Sequence, residues 1–199
     1  ECTPGGVGRI YIKQDDKGKW AVIEGEMVDF ASVNGAWNNC NASVTPWNTA
    51  LTSEEYPPDV ADEWKSGWLP VVDAMKQHLG KDANPYDYGY NVELIPAGGE
   101  DAPLGTEVKK HYAMGRFSKE MALVMPDSKT AYFGDDGTDR ILYKFVAAKE
   151  GDLSEGTLYA AKLTQDKDTL NLKWIELGSA KDDDIAAAIR KLDAQFASK

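Results

Sequence analysis

The sequence predicts a mainly β fold of the sandwich, barrel or propeller kind. Short segments rich in β-branched and aromatic residues recur along it, and turn clusters of Asp, Gly, Asn and Pro separate them. Only two stretches carry helical spacing. Many short strands with few helices is the pattern of those three architectures.

The elements follow in order. Arg9 to Gln14 alternates through Ile10 and Ile12, Asp15-Asp16-Lys17-Gly18 supplies a turn, and Trp20 to Ile23 returns as a strand. Trp47–Thr52 is the next candidate strand. Asp59 to Leu79 carries Val60, Trp64, Trp68, Val71, Val72 and Met75, a helical spacing broken near Gly67 and Pro70. It predicts a helical insertion over residues 59–79, made of two short helices. Tyr88–Ile95 reads as a strand, and Pro96 to Gly105, rich in Gly, Pro and acids, as a flexible connection. Further strands are expected at Met121–Met125, Thr130–Phe133, Arg140–Val146, Gly156–Leu163 and Leu170–Leu177, with turns at Asp136-Gly137 and Asp166-Lys167-Asp168. A C-terminal amphipathic helix closes the pattern. Ser179 stands as its N-cap, Asp182, Asp183 and Asp184 crowd the first turn, and Arg190 and Lys191 follow. Ile185, Ile189, Leu192 and Phe196 repeat at helical intervals, the stripe that packs onto a sheet.

Composition narrows the function. At 199 residues the chain has the length of one domain, read here as residues 1–199. Its net charge of -11 points away from nucleic acid, which demands clustered Lys and Arg. The charge fits a protein that holds cations, and equally a plain acidic surface. No apolar run reaches the length of a membrane span, and Glu1-Cys2-Thr3-Pro4 opens no signal peptide. Two cysteines, Cys2 and Cys40, allow one bridge, two free thiols, or a metal ligand. His78 and His111 stand without zinc-binding spacing, and neither a GxSxG elbow nor a Walker loop is present.

Three motifs are suited to chemistry. In the first, a small-residue loop around Cys40 leads to a strand ending on Glu54 and Glu55. Consecutive strand residues point to opposite faces, so these two acids cannot both face one site if the strand continues through them. Cys40 is either a small buried residue or a thiolate suited to a soft or borderline metal. The second is Met114-Gly115-Arg116-Phe117-Ser118-Lys119-Glu120. Glu120 there can ligate a metal, while Arg116 can pair with a carboxylate or phosphate, or make a surface salt bridge. The third, Gly134-Asp135-Asp136-Gly137-Thr138-Asp139, offers the hard oxygens calcium prefers, on a spacing that also suits an ordinary hairpin.

Taken in order, these segments resemble the PhoX-type alkaline phosphatases. Asn39 to Glu55 is similar to the family's Asn-Cys-Ser-Gly-Gly-x-Thr-Pro-Trp-Gly-Thr-x-Leu-Thr-Cys-Glu-Glu run. Tyr88 to Pro96 resembles its Tyr-Gly-Trp-x-Val-Glu-Ile-x-Pro strand, and Gly115-Arg116-Phe117 with Glu120 its Gly-Arg-Phe-x-His-Glu. Gly134-Asp135-Asp136 with Leu142-Tyr143-Lys144-Phe145, then Glu155 to Lys162, match two more segments. The resemblance implies part of a β-propeller, two to three blades, in an exported, periplasmic or extracellular phosphomonoesterase that uses calcium and iron. It implies iron ligation by Cys40, metal ligation by Glu55 and Glu120, and a calcium site completed by Asp135 or Asp136. Phosphorylated small molecules are the implied substrates. Open edges would be covered by a partner copy or by the remainder of a larger propeller, of which this chain would be a fragment.

Departures from the family pattern fall close to the motifs. Asn41-Ala42-Ser43 replaces Ser-Gly-Gly, Ser53 stands for a Cys, and Lys119 for a His. The alternative reading is a non-catalytic β module whose acidic loops bind calcium or a partner, with Cys40 buried or bridged to Cys2.

Overall fold

The computed structural model describes residues 5–60, 64, 71–98 and 104–192. The chain is mainly β, with three antiparallel sheets. Strands β1 (Gly8–Gln14) and β2 (Trp20–Met27) form a two-stranded ribbon. Asp15 closes its turn by accepting from the Lys17 and Lys19 amides, and Gly18 takes the required left-handed conformation (φ 79°).

Two meanders follow. The first has four strands, β3 (Asn39–Val44), β4 (Ala50–Glu54), β5 (Asn91–Pro96) and β6 (Thr106–His111). The second has five, β7 (Lys119–Val124), β8 (Thr130–Asp135), β9 (Leu142–Lys149), β10 (Asp152–Asp166) and β11 (Thr169–Lys181). Their first strands, β3 and β7, lie against each other, and the Ser43 hydroxyl donates to the Ala122 carbonyl at 2.5 Å across the join. Helix α1 (Val71–Leu79) lies between β4 and β5, and α2 (Asp182–Arg190) follows β11.

The main core lies between the two meanders. Ala122 and Val124 of β7, Ala131 and Phe133 of β8, and Tyr143, Phe145 and Ala147 of β9 all point inward at period two. Leu51 meets them from β4. Phe117 stacks on Tyr143 with ring centroids 4.0 Å apart. Each fully buried side chain such as Leu51 or Phe145 contributes roughly 1.5–3 kcal/mol. The opposite face of the first meander is covered by Val28, Phe30 and Ala36 against Val92, Leu94 and Val108. Helix α1 sends Met75 and Leu79 into an aromatic cluster of Trp37, Trp64 and Tyr88, and Gly80 (φ 66°) ends it. Helix α2 buries Ile189 against Tyr90 and Tyr112.

Several expectations are corrected here. The small-residue loop around Cys40 is strand β3, and β6 forms where no strand was expected. Both are polar enough to hide any alternation. Ser179 is not the cap of α2. It lies in β11, its hydroxyl shared with that of Thr157 at 2.7 Å, and the position preceding the helix is Lys181. Of the insertion expected over 59–79, α1 is the described helix, while residues 61–63 and 65–70 lie outside the described residues. So do Cys2, Phe196 and part of the Pro96–Gly105 connection. The described residues form no closed barrel or propeller.

Candidate metal centre

Two irregular strands build the site. Asn39 pairs with Glu54 and Ala42 with Thr52, so three steps along β3 match two along β4. Cys40 lies in the resulting bulge. Lys119 pairs with Asp135 and Ala122 with Phe133, which leaves Glu120 in an equivalent bulge of β7. A bulge frees its residues from strict alternation and re-aims a side chain. Glu55 is delivered differently. It follows the last residue of β4, its amide donates to the Asn38 carbonyl at 3.1 Å, and Tyr56 then turns the chain at φ 46°. Asn38 is also left-handed (φ 35°), so the residues before Cys40 and after Glu55 both hold conformations that L side chains adopt at a cost.

The result is a cluster of three. The Cys40 thiol and one carboxylate oxygen each of Glu55 and Glu120 all lie within 4.8 Å of one another. It is the one such group among the described residues. Cys40 and Glu120 are exposed, while Glu55 is only 9 % exposed. The hydrogen bond to Glu55 holds the Cys40 thiol above its ordinary pKa, helped by partial burial and by the charges of Glu55, Glu120 and Asp136. A cation at this point would reverse that logic, because a coordinated thiol loses its proton.

A second layer surrounds the cluster. Tyr56 donates its hydroxyl to Asp136, and this bond, with the Asp136 charge behind it, pushes the phenol up to about 12. The Tyr56 amide donates to the Ser118 hydroxyl at 2.9 Å, the Ser118 amide to Asp135 at 3.0 Å, and the Asp136 amide to the Ser118 carbonyl at 2.8 Å. Asp135 and Asp136 are therefore tied to this frame and do not join the group of three. A cleft of about 860 Å³ opens beside the cluster, lined by Tyr56, Arg116, Ser118, Asp135, Asp136 and Arg140 among others.

Glu54 points away, as alternation requires. Its side chain is fully buried, pairs with the equally buried Lys110 ammonium at 2.9 Å, and accepts from the amides of Trp37, Gly89 and Tyr90. Arg116, expected to meet a carboxylate or phosphate, donates instead to the carbonyls of Tyr88, Pro58 and Pro85. Cys40 is an exposed free thiol, not a small core residue.

Two arrangements were missed. His111 is buried between Glu93 and Asp182, with each ring nitrogen 3.0 Å from a carboxylate oxygen. Burial alone would lower its pKa, but the Asp182 and Glu93 bonds outweigh it and raise the imidazole to about 8. Lys119 turns inward and is wholly buried. Burial holds its ammonium pKa well below the ordinary range. Partners this distant in sequence leave no local signal.

One of three comparisons with known proteins gives a match. A family model described as Alkaline phosphatase PhoX matches residues 16–198. No curated protein and no solved structure gives a match. Among the described residues no helix is long and apolar enough to cross a membrane.

Proposed function

Because the chain belongs to the PhoX alkaline phosphatase family, we propose that it forms part of a metal-dependent phosphomonoesterase whose metal centre is built on Cys40, Glu55 and Glu120. The observation that carries this reading is the convergence of one thiol and two carboxylates from β3, the end of β4 and β7. The donor set fits the metals the family resemblance implies. A thiolate with two carboxylates suits iron, and carboxylates alone suit calcium, for which Asp136 and Asp135 stand at the edge of the cluster. Bound there, the metals would supply Lewis-acid polarisation and screen the charge of a phosphoryl group.

The chain's own residues do the rest. Glu55 accepts a hydrogen bond from the protonated Cys40 thiol, and a cation bound there would displace that proton to solvent as the thiolate became its ligand. Tyr56 fixes Asp136 and Ser118 fixes Asp135, so the acids do not swing into the site unoccupied. Arg140, largely exposed at the cleft and 4.0 Å from Asp135, is placed to donate to phosphate oxygens of a small phosphomonoester. The two meanders would serve as neighbouring propeller blades with β3 and β7 innermost. A partner copy or further chain would supply the remaining blades of an exported, periplasmic or extracellular enzyme.

Hydrolysis of p-nitrophenyl phosphate by the purified protein, supplied with calcium and iron, tests the proposal. Turnover that falls at least ~100-fold in Glu120→Gln is expected, because losing a direct ligand costs no less than the roughly 10- to 100-fold typical of losing a group that only supports a ligand. A parent that neither turns over nor binds metal, or a variant as fast as the parent, would overturn it.

A further inference from the structure

A buried polar chain runs behind the cluster and joins the two meanders. Lys119 Nζ donates to Asn91 Oδ1 at 2.8 Å and to the Met114 carbonyl at 3.0 Å. Asn91 Nδ2 in turn donates to the Ser53 hydroxyl at 2.8 Å. The remaining face of the amine meets the Phe133 ring, 3.8 Å from its centroid, and the Phe117 ring at 4.7 Å. Lys119, Asn91 and Ser53 are each 0 % exposed, so bulk solvent does not compete for these hydrogen bonds.

The place of this chain in the fold gives it a consequence. Lys119 opens β7 and pairs with Asp135 immediately before the bulge that carries Glu120. Ser53 lies in β4 two residues before Glu55, which follows the end of that strand, and it pairs with Asn91 across β4 and β5. The bulge releases Glu120 from the ladder, and the aim of a bulged residue is then set by whatever fixes its neighbour. That neighbour is tied by its side-chain amine to the strand pair leading to Glu55. Ser53 and Lys119, two departures from the family pattern, meet on the same asparagine.

We propose that Lys119 is a positioning residue of the metal centre. Its amine, bridged through Asn91 to Ser53, holds β7 against the β4–β5 pair and thereby sets how closely Glu120 approaches Cys40 and Glu55. Turned inward, the side chain also stays out of the cation site. The proposal rests on the reading of Cys40, Glu55 and Glu120 as that site, and its test has a part independent of metal.

The metal-free part uses Glu120→Cys in a Cys2→Ser background. Cys40 and the introduced thiol are bridged by dibromobimane, which fluoresces when both of its arms have reacted. Adding Lys119→Met, which keeps length and loses all donors, is expected to slow bridging several-fold in protein that remains folded by circular dichroism. Lys119→Gln, which can still donate to Asn91 and Met114, is expected to restore much of the rate. In the metal-binding part, with Glu120 intact, Lys119→Met is expected to weaken iron and calcium binding about 10- to 100-fold and to alter thiolate-to-iron absorption. Should Lys119→Met not fold, Asn91→Ser, too short to span from Ser53 to Lys119, makes the same comparison. Folded variants with unchanged bridging overturn the proposal. If the parent binds no metal, the site reading fails, and bridging alone decides the role of Lys119.

Discussion

Cys40 and Glu120 occupy bulges in two first strands that lie against each other, and both side chains turn to the same point beside Glu55. In a regular ladder each of these residues would be held to strict alternation. The two bulges give up ladder hydrogen bonds, and the two left-handed residues nearby, Asn38 and Tyr56, add backbone strain. The gain is a thiol and two acids in one place, where the two carboxylates carry like charges close together.

That proximity makes a stability prediction. In metal-free protein, Glu120→Gln removes a negative charge beside Glu55 and Asp136 and is expected to leave stability unchanged or raise it by about 0.5 kcal/mol. Thermal melts in the presence of a chelator measure this. A clear loss of stability would mean that Glu120 is a structural group and not a cation ligand.

The Glu54–Lys110 pair is expected to behave in the opposite way. Both side chains are fully buried, and Glu54 also accepts three backbone amides. Lys110→Met leaves a buried carboxylate without its counter-charge and is expected to cost about 3–5 kcal/mol in urea unfolding. A loss below about 1 kcal/mol would show that the pair is not held as described.

His111 links stability to pH. Its folded pKa of about 8 lies above the ordinary 6.5 because Asp182 of α2 and Glu93 of β5 outweigh burial. Asp152 of β10 adds a more distant negative charge, and Lys110 on its own strand is committed to Glu54. A raised pKa means stabilisation fully present below pH 6.5 and lost as pH rises through about 8, worth about 2 kcal/mol. Denaturation at pH 6 and pH 9 should differ by about that amount, and His111→Gln should abolish the difference. An unchanged pH dependence in the variant would contradict this account.

Gly89 is expected to tolerate no side chain. It holds φ 99°, its amide bonds Glu54, and an added Cβ would sit 2.8 Å from the Pro57 ring and 3.0 Å from the Phe117 carbonyl. Gly89→Ala should destabilise by roughly 1–3 kcal/mol in urea unfolding. Wild-type stability would refute the close approach.

The sequence revealed the β character, the helix carrying Ile185 and Ile189, and the opposite facing of Glu54 and Glu55, because period two and period 3.6 are local signals. It failed where the signal is not local. The strand around Cys40 is built of Asn, Ala and Ser and has no apolar alternation to read. Bulges leave no mark in composition. The partners of Glu54, His111 and Lys119 lie on other strands or beyond them, so each residue looked solitary until the meanders were packed. Arg116 was expected at a carboxylate or phosphate because Arg favours both, yet three carbonyls at a chain crossing satisfy it.

The most direct test of the central claim is elemental analysis of the purified, undenatured protein beside its Cys40→Ala variant. Near-stoichiometric iron with calcium in the parent, and loss of iron in a variant that stays folded, is the predicted result. Equal iron in both, or none in either, would contradict the assignment of Cys40, Glu55 and Glu120 as a metal centre.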